Sequence, residues 1–373
     1  MKDRRSMKVK YLDLPKQFKD ESLWQEIKKI FETCQFIQGP EVNLFESKFA
    51  NLCGTPYALE LNSGTDAIFF ALKALKIGPG DEVITVPNSF VATAGAIIAS
   101  GAKPVFVDVA EDYNMDVNRI ESAITARSKA ILPVHLTGNP AEMVRIMEIT
   151  KEKGLFVIED AAQAIMASIN GQMVGSFGEA GCFSLHPLKN LNICGDGGVL
   201  TTRSQEIYEK VKFLRNHGLK NRDELEFFGY NSRLDTIQAI IAKYGMENLK
   251  EIKQKRQKNA RIYDQGLKDL KGFVTIPPRR EGVEQVFHTY VIRVQQRTEL
   301  IRYLQENGIE TKIHYPIPIH LQKPCAELGY KRGDFPICEK QAEEILSLPI
   351  NQYLEEEQLE YVIDRVKKFY NRI

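Results

Sequence analysis

Seven short runs rich in β-branched and aromatic residues recur between Tyr57 and Thr202, and they constrain the fold more than any other feature of the chain. They are Tyr57–Leu61, Glu82–Val86, Pro104–Asp108, Ala130–Val134, Leu155–Asp160, Gly181–Leu185 and Gly198–Thr202. Runs of roughly four to eight such residues bounded by turn formers read as strands. Helix-length stretches separate several of them, among them Ala67–Leu75 and Phe90–Ala99. The alternation predicts an α/β fold, a mostly parallel seven-stranded sheet sandwiched by helices. In such sheets ligands bind at the carboxyl ends of the strands.

The flanks read differently. Residues 17–35 carry an apolar stripe at helical spacing, Phe18, Leu23, Ile27, Ile30 and Phe31. A turn at Gly39-Pro40 leads to a second helix near 41–52. Past residue 245 come a charged helix at Glu247–Leu270, a strand near Val286–Val294, a helix at Arg297–Asn307, a loop rich in Pro and His, and a final helix at Leu354–Arg372. These patterns predict a large domain over 1–245, including the N-terminal helical segment, and a smaller C-terminal α+β domain over 246–373.

Composition excludes several classes of partner. The 373 residues hold 50 Lys and Arg against 49 Asp and Glu, a formal net charge of +1. That balance points to neither nucleic acid nor an anionic membrane. No apolar core follows the basic MKDRRSMKVK, so no signal peptide is expected. The uncharged run Val86–Ala102 is interrupted by Pro87, Gly95 and Gly101, which fits a buried strand end and helix rather than a membrane span. Cys34, Cys53, Cys182, Cys194, Cys325 and Cys338 form no CxxC pair and no metal-ligand spacing. A cytoplasmic chain with reduced cysteines and no metal is expected.

Four local features carry chemistry, and each has a plain reading when taken alone. Glu159-Asp160-Ala-Ala-Gln163 ends an apolar strand in an acid, which is also a common helix N-cap. Lys189 follows the strand ending FSLHPLKN, with a Gly-rich turn (Gly195-Asp-Gly-Gly198) after it, although most lysines are simply solvated. Asn62-Ser63-Gly64-Thr65-Asp66 opens a helix whose free N–H groups suit a phosphate or merely a cap. Phe90 sits at another strand-to-helix turn, where a core aromatic is equally at home.

Together the four are the parts that pyridoxal 5'-phosphate needs. A lysine forms a Schiff base with its aldehyde. An acid pairs with the protonated pyridine nitrogen and keeps the ring an electron sink, a pairing worth roughly 5 kcal/mol gross at about 3 Å and an effective dielectric near 20. A backbone nest and hydroxyls hold the phosphate, and an aromatic ring stacks on the pyridine face.

The ordered motifs NSGTDA, PNSFVATAGAI, EDAAQA, FSLHPLKN with GDGG, RNHG, GYNSRLDTIQA and HYPIPIH resemble those of the DegT-type sugar aminotransferases, from Gly39 to the end of the chain. The resemblance implies the aspartate-aminotransferase fold, fold type I of the pyridoxal-phosphate enzymes. It implies that Lys189 is the Schiff-base lysine and proton shuttle, Asp160 the pyridine partner, and Gln163 the residue near the ring hydroxyl. Gly64, Thr65, Asp66 and Ser184 would be phosphate ligands and Phe90 the stacking plate. Asn231 is similar to the asparagine that reaches the phosphate from the partner subunit of a homodimer. His186, His314 and Tyr315 sit where family members touch the sugar. Many relatives have an aromatic residue where this chain has His186.

The resemblance further implies L-glutamate as amino donor and a keto-sugar, nucleotide-linked, as acceptor, in the making of amino sugars for surface polysaccharide. HYPIPIH is similar to members that aminate C3 rather than C4. Two other classes stand beside this reading. A sugar dehydratase of the same fold has a histidine in place of the lysine, which Lys189 argues against. A non-catalytic regulatory protein using the fold as a binding module would need neither Lys189 nor Asp160.

Overall fold

The computed structural model describes residues 7–372. All seven runs are strands: β1 Tyr57–Leu61, β2 Glu82–Thr85, β3 Lys103–Phe106, β4 Ser128–Ile131, β5 Phe156–Asp160, β6 Ala180–Ser184 and β7 Gly198–Thr202. They form one sheet in the order β1-β7-β6-β5-β4-β2-β3. Neighbours from β3 through β6 pair in parallel. Strand β7 runs antiparallel to both β6 and β1.

Both faces of this sheet are covered, which is why its strands read as continuous apolar runs. Adjacent residues point to opposite sides and join different clusters. Leu59, Cys182 and Leu200 pack with the helices Gly64–Ala74, Val91–Ser100 and Met143–Lys153. Ala58, Phe183 and Val199 pack with Glu21–Thr33, Pro40–Cys53 and Thr236–Glu247.

A three-stranded antiparallel sheet, β8 Val274–Thr275, β9 Tyr290–Val294 and β10 Ile345–Leu348, is ordered β8-β9-β10. Helices Leu249–Leu267, Arg297–Glu306 and Glu356–Tyr370 surround it, with Tyr263, Tyr290, Leu346 and Val362 at the centre of a third apolar cluster. Val9, from the start of the chain, joins this cluster and bridges to Ile309.

Several element ends differ from the sequence reading. The first helix starts at Glu21, because Asp20 caps it by accepting from the Ser22 amide at 2.9 Å. In its predicted stripe Leu23, Ile27 and Ile30 are buried, but Phe31 is 61% exposed. The second helix starts at Pro40, whose missing N–H is harmless at the first helical position, and stops before Gly54 at φ +68°. The charged helix is Leu249–Leu267, set off from Thr236–Glu247 by Asn248. Strand β10 has only four residues behind the Pro- and His-rich loop, too short a run to announce itself. Among the described residues no helix is long and apolar enough to cross a membrane, and no His, Cys, Asp and Glu cluster suits a metal ion. The six cysteines are all free.

Candidate active site

A cavity of about 560 Å³ opens where β4, β5 and β6 end, with Val134, Asp160 and Ser184 in its wall. Strand alternation decides which of two neighbouring acids faces it. Glu159 is fully buried on the other side. It accepts from His135 Nε2 at 3.1 Å and from the amides of Gly175, Phe177 and Gly178 at 2.7, 2.8 and 3.0 Å. Asp160 points into the cavity and is held at both oxygens. Thr93 Oγ1 donates to Oδ2 at 2.7 Å, and the Ala162 amide donates to Oδ1 at 3.1 Å. Ser89 Oγ lies 2.7 Å behind Thr93 Oγ1, so the carboxylate ends a short chain of hydroxyls.

Lys189 stands in the turn after β6. Its amide donates to the His186 carbonyl at 2.8 Å, and its own carbonyl accepts from Asn192 Nδ2 at 2.9 Å. The backbone is therefore tied down while the amine faces the cavity. Burial pushes the amine down to about 8, and the Asp160 charge opposes that shift only in part. A lysine that loses its proton near neutral pH can act as nucleophile and as base.

The helix Gly64–Ala74 aims its N-terminus at the same space. Ser63 caps the helix by accepting from the Asp66 amide at 3.1 Å. The amides of Gly64 and Thr65 have no intrahelical acceptor. Any side chain at position 64 would place a Cβ 2.8 Å from the Ser184 Cβ, so glycine is what lets the helix end meet the end of β6. Phe90 precedes the helix Val91–Ser100, stays 52% exposed, and lies 5.7 Å from the Tyr315 ring, centroid to centroid.

Gln163 bridges two parts of the wall. Its Oε1 accepts from the Thr137 amide at 2.7 Å, and its Nε2 donates to Tyr315 Oη at 3.3 Å. Burial raises the Tyr315 phenol above its ordinary range, so it stays protonated. His314 is pushed down to about 4 by burial and by the nearby Lys189 and Lys312 charges, so its ring is neutral at pH 7. His186 is exposed at the cavity, with Nδ1 accepting from the Leu188 amide at 3.3 Å.

The structure thus gathers Gly64, Thr65, Phe90, Asp160, Gln163 and Ser184 around Lys189, with His186, His314 and Tyr315 also in the wall. Two predicted residues lie elsewhere. Asp66 turns its carboxylate away to accept from Ser232 Oγ at 2.6 Å. Asn231 is exposed, bridges through its backbone to Asn216, and does not reach the cavity of its own chain. The residue roles assigned from the sequence leave out Thr93, Tyr11, Lys312 and His288, all of which line the cavity. Thr93 had a signal, since it follows Phe90 by three residues on a predicted helix and shares its face. Tyr11 had none, because its neighbours are near only through the tertiary fold.

These groups fit pyridoxal phosphate. The cradle between residues 64 and 184 and its free amides suit a phosphate, Asp160 is an anchored carboxylate, and Lys189 is a buried amine with no anion bound to it. The fold and the site define a pyridoxal-phosphate-dependent aminotransferase. The chain belongs to the DegT/DnrJ/EryC1/StrS aminotransferase family, whose sequence pattern matches residues 17–367.

The chain is 43% identical over 370 residues to the pleiotropic regulatory protein of Geobacillus stearothermophilus, covering 98% of this chain and 99% of that one. It is also 43% identical over 343 residues to the UDP-N-acetyl-3-dehydro-alpha-D-glucosamine 3-aminotransferase of Acidithiobacillus ferrooxidans, covering 92% of each. Among solved structures, that of S. venezuelae DesV in complex with a ketimine intermediate superposes with a TM-score of 0.94 at 38% identity, over 99% of this chain and 100% of that one. The protein is a sugar aminotransferase dependent on pyridoxal phosphate.

Proposed function

We propose that the enzyme moves the amino group of L-glutamate to C3 of a nucleotide-linked 3-keto-sugar, in amino-sugar synthesis for a surface polysaccharide. The observation that carries the sugar side is that His186, His314 and Tyr315 line the same cavity as Lys189 and Asp160. Support for C3 comes from the HYPIPIH stretch and from the 3-amino chemistry in the Acidithiobacillus relative's name.

Pyridoxal phosphate, when bound, supplies the carbonyl that takes up the amino group and a ring that draws off electrons. The protein's own groups do the rest. The Gly64 and Thr65 amides and Ser184 would hold the phosphate, and Phe90 would cover the ring. Asp160, fixed by Thr93 and Ala162, keeps a negative charge at the pyridine nitrogen. Lys189 Nζ would hold the cofactor and would carry the proton in the transfer, as its lowered affinity for a proton allows. Gln163 and Tyr315 join the cofactor wall to the sugar wall.

We further infer a homodimer in which Asn231 of one chain completes the phosphate site of the other. Its distance from its own cavity supports this, as do the exposed aromatics beside it, Phe228 at 92% and Tyr230 at 42%. In a mixed dimer of Lys189→Ala and Asn231→Asp chains, one site carries both defects and the other neither. Recovery toward half of the wild-type activity is expected, and a mixed dimer that forms but stays inactive contradicts a shared site.

The substrate assignment is tested by incubating holoenzyme with glutamate and a panel of 3-keto and 4-keto nucleotide sugars, with product mass and the aminated carbon read by NMR. Glutamate-dependent amination at C3 is expected. Amination confined to 4-keto acceptors overturns the C3 assignment, and no amination of any acceptor overturns the nucleotide-sugar reading.

A further inference from the structure

The wall of the cavity that carries His314 is held by two residues that belong to neither the cofactor set nor the sugar set. Ser347 lies in the middle of β10 and is fully buried. Its backbone exchanges hydrogen bonds with Lys312, with its amide donating at 2.8 Å and its carbonyl accepting at 3.2 Å. Two residues beyond Lys312 the chain turns His314 back, so that Nδ1 sits 2.9 Å from Ser347 Oγ. Tyr11 comes from the opposite end of the sequence. Its ring lies 5.9 Å from the His314 ring, tilted by 30°. It is fixed there by its amide, which donates to Glu310 Oε2 at 2.9 Å, and by its carbonyl, which accepts from Asn351 Nδ2 at 3.2 Å.

The Tyr11 hydroxyl is buried beside Ser347 and has no completed hydrogen bond. Burial also raises its phenol above the ordinary range, so it keeps its proton. A buried donor needs an acceptor, and the Ser347 hydroxyl beside it is suited to be one. The His314 ring carries a single N–H, because burial and the Lys189 and Lys312 charges keep it neutral. Two relays of protons along the three groups are then available, since a third arrangement, with Tyr11 and His314 both donating to Ser347, leaves the serine hydrogen without an acceptor. In the first, Tyr11 donates to Ser347, Ser347 donates to His314 Nδ1, and each hydrogen finds an acceptor. In the second, His314 Nδ1–H donates to Ser347, Ser347 donates to Tyr11, and the phenol hydrogen is left buried without an acceptor. The first arrangement wins, because an unsatisfied buried donor is the more expensive outcome.

We infer that Tyr11 and Ser347 are positioning residues that lock the His314 imidazole in the tautomer with its hydrogen on Nε2. The cavity therefore meets a hydrogen-bond donor at this point, matched to a hydroxyl or carbonyl oxygen of the sugar beside the reacting carbon. The inference rests on the reading that His314 faces the sugar. Tautomers are set by whatever the second ring nitrogen bonds, and here that partner is set in turn by a residue from near the start of the chain.

The test uses holoenzyme labelled with 15N-histidine, which gives only six residues to assign. His314 is identified by loss of its signals in His314→Gln. The ring is expected to show a bare Nδ1 and a protonated Nε2 in the wild type, and a mixture of tautomers in Ser347→Ala and in Tyr11→Phe. Ser347→Thr, which keeps the hydroxyl, should restore the wild-type pattern. With the relay cut, the keto-sugar half-reaction should slow by about tenfold relative to the glutamate half-reaction, the scale of one misdirected hydrogen bond. A wild-type ring protonated on Nδ1, or a tautomer indifferent to both substitutions, overturns the inference. If the tautomer shifts as expected while the two half-reactions keep their ratio, the relay stands and the placement of His314 against the sugar falls.

Discussion

The two walls of the cavity are built by opposite strategies. The cofactor wall is made of strand ends and helix starts within one sheet: Ser63 and Gly64 after β1, Asp160 at the end of β5, Ser184 and Lys189 at and after β6. The groups there are positioned within their own turn or by a helix that starts at a strand end, as Asp160 is by the Ala162 amide and by Thr93 of the helix Val91–Ser100. The sugar wall is collected from His186, His314 and Tyr315 and backed by Tyr11 and Ser347, segments scattered over nearly the whole chain. Its His314 is held by a hydroxyl borrowed from Ser347 and by burial. The half of the chemistry tied to the cofactor is thus carried by the backbone geometry of strand ends and helix starts, which a mutation elsewhere disturbs little. The half that recognises the acceptor is carried by tertiary contacts between loops, which can change without touching the cofactor.

Substitutions in the two walls should therefore separate in kind. The largest effect belongs to Lys189. Lys189→Ala should lower transamination by about 10³-fold or more, since it removes both the cofactor's covalent hold and the proton carrier. Borohydride treatment of the wild type should fix the cofactor to a peptide containing Lys189, and an adduct on another lysine would place the cofactor wall elsewhere. Asp160→Asn keeps the size and the contacts to Thr93 and Ala162 but loses the charge. Cofactor should still bind, more weakly, and turnover should fall on the order of 10²-fold. Near-normal turnover in that variant would remove Asp160 from the pyridine nitrogen.

A smaller effect follows from the depressed Lys189 amine. Only the neutral amine can attack an aldehyde, and burial brings its titration down to about 8. Capture of pyridoxal phosphate by apoenzyme should thus rise about tenfold per pH unit below that value and level off above it. A lysine at its ordinary proton affinity would keep rising past pH 10, and such a profile, followed by the visible absorbance of the bound cofactor, contradicts the buried environment.

The contrast between the walls also explains why the amino-acid sequence reveals one of them more readily than the other. The seven strands are legible because a sheet covered on both faces demands continuous apolar runs, as at Ile158 and Leu200. Asp160 and Lys189 are legible because each follows such a run at a strand end. Ser347 is not, because β10 is four residues long and its partner residues are in other segments. Tyr11 is not, because a tyrosine ahead of the first helix has no periodicity to betray a burial achieved through Glu310 and Asn351. Asp66 misleads, because its place at a helix start suits a phosphate ligand, while its carboxylate is engaged by Ser232 from a loop far along the chain.

The division of labour is tested most directly by timing the two half-reactions separately in His314→Gln and Tyr315→Phe holoenzyme. Glutamate is mixed with the aldehyde form of the cofactor in one experiment, and the keto-sugar nucleotide with the amine form in the other. Sugar-wall substitutions should shift the ratio of the two rate constants by about tenfold or more in favour of the glutamate step. Equal slowing of both steps in both variants would mean that His314 and Tyr315 serve the cofactor, and that the cavity has one wall rather than two.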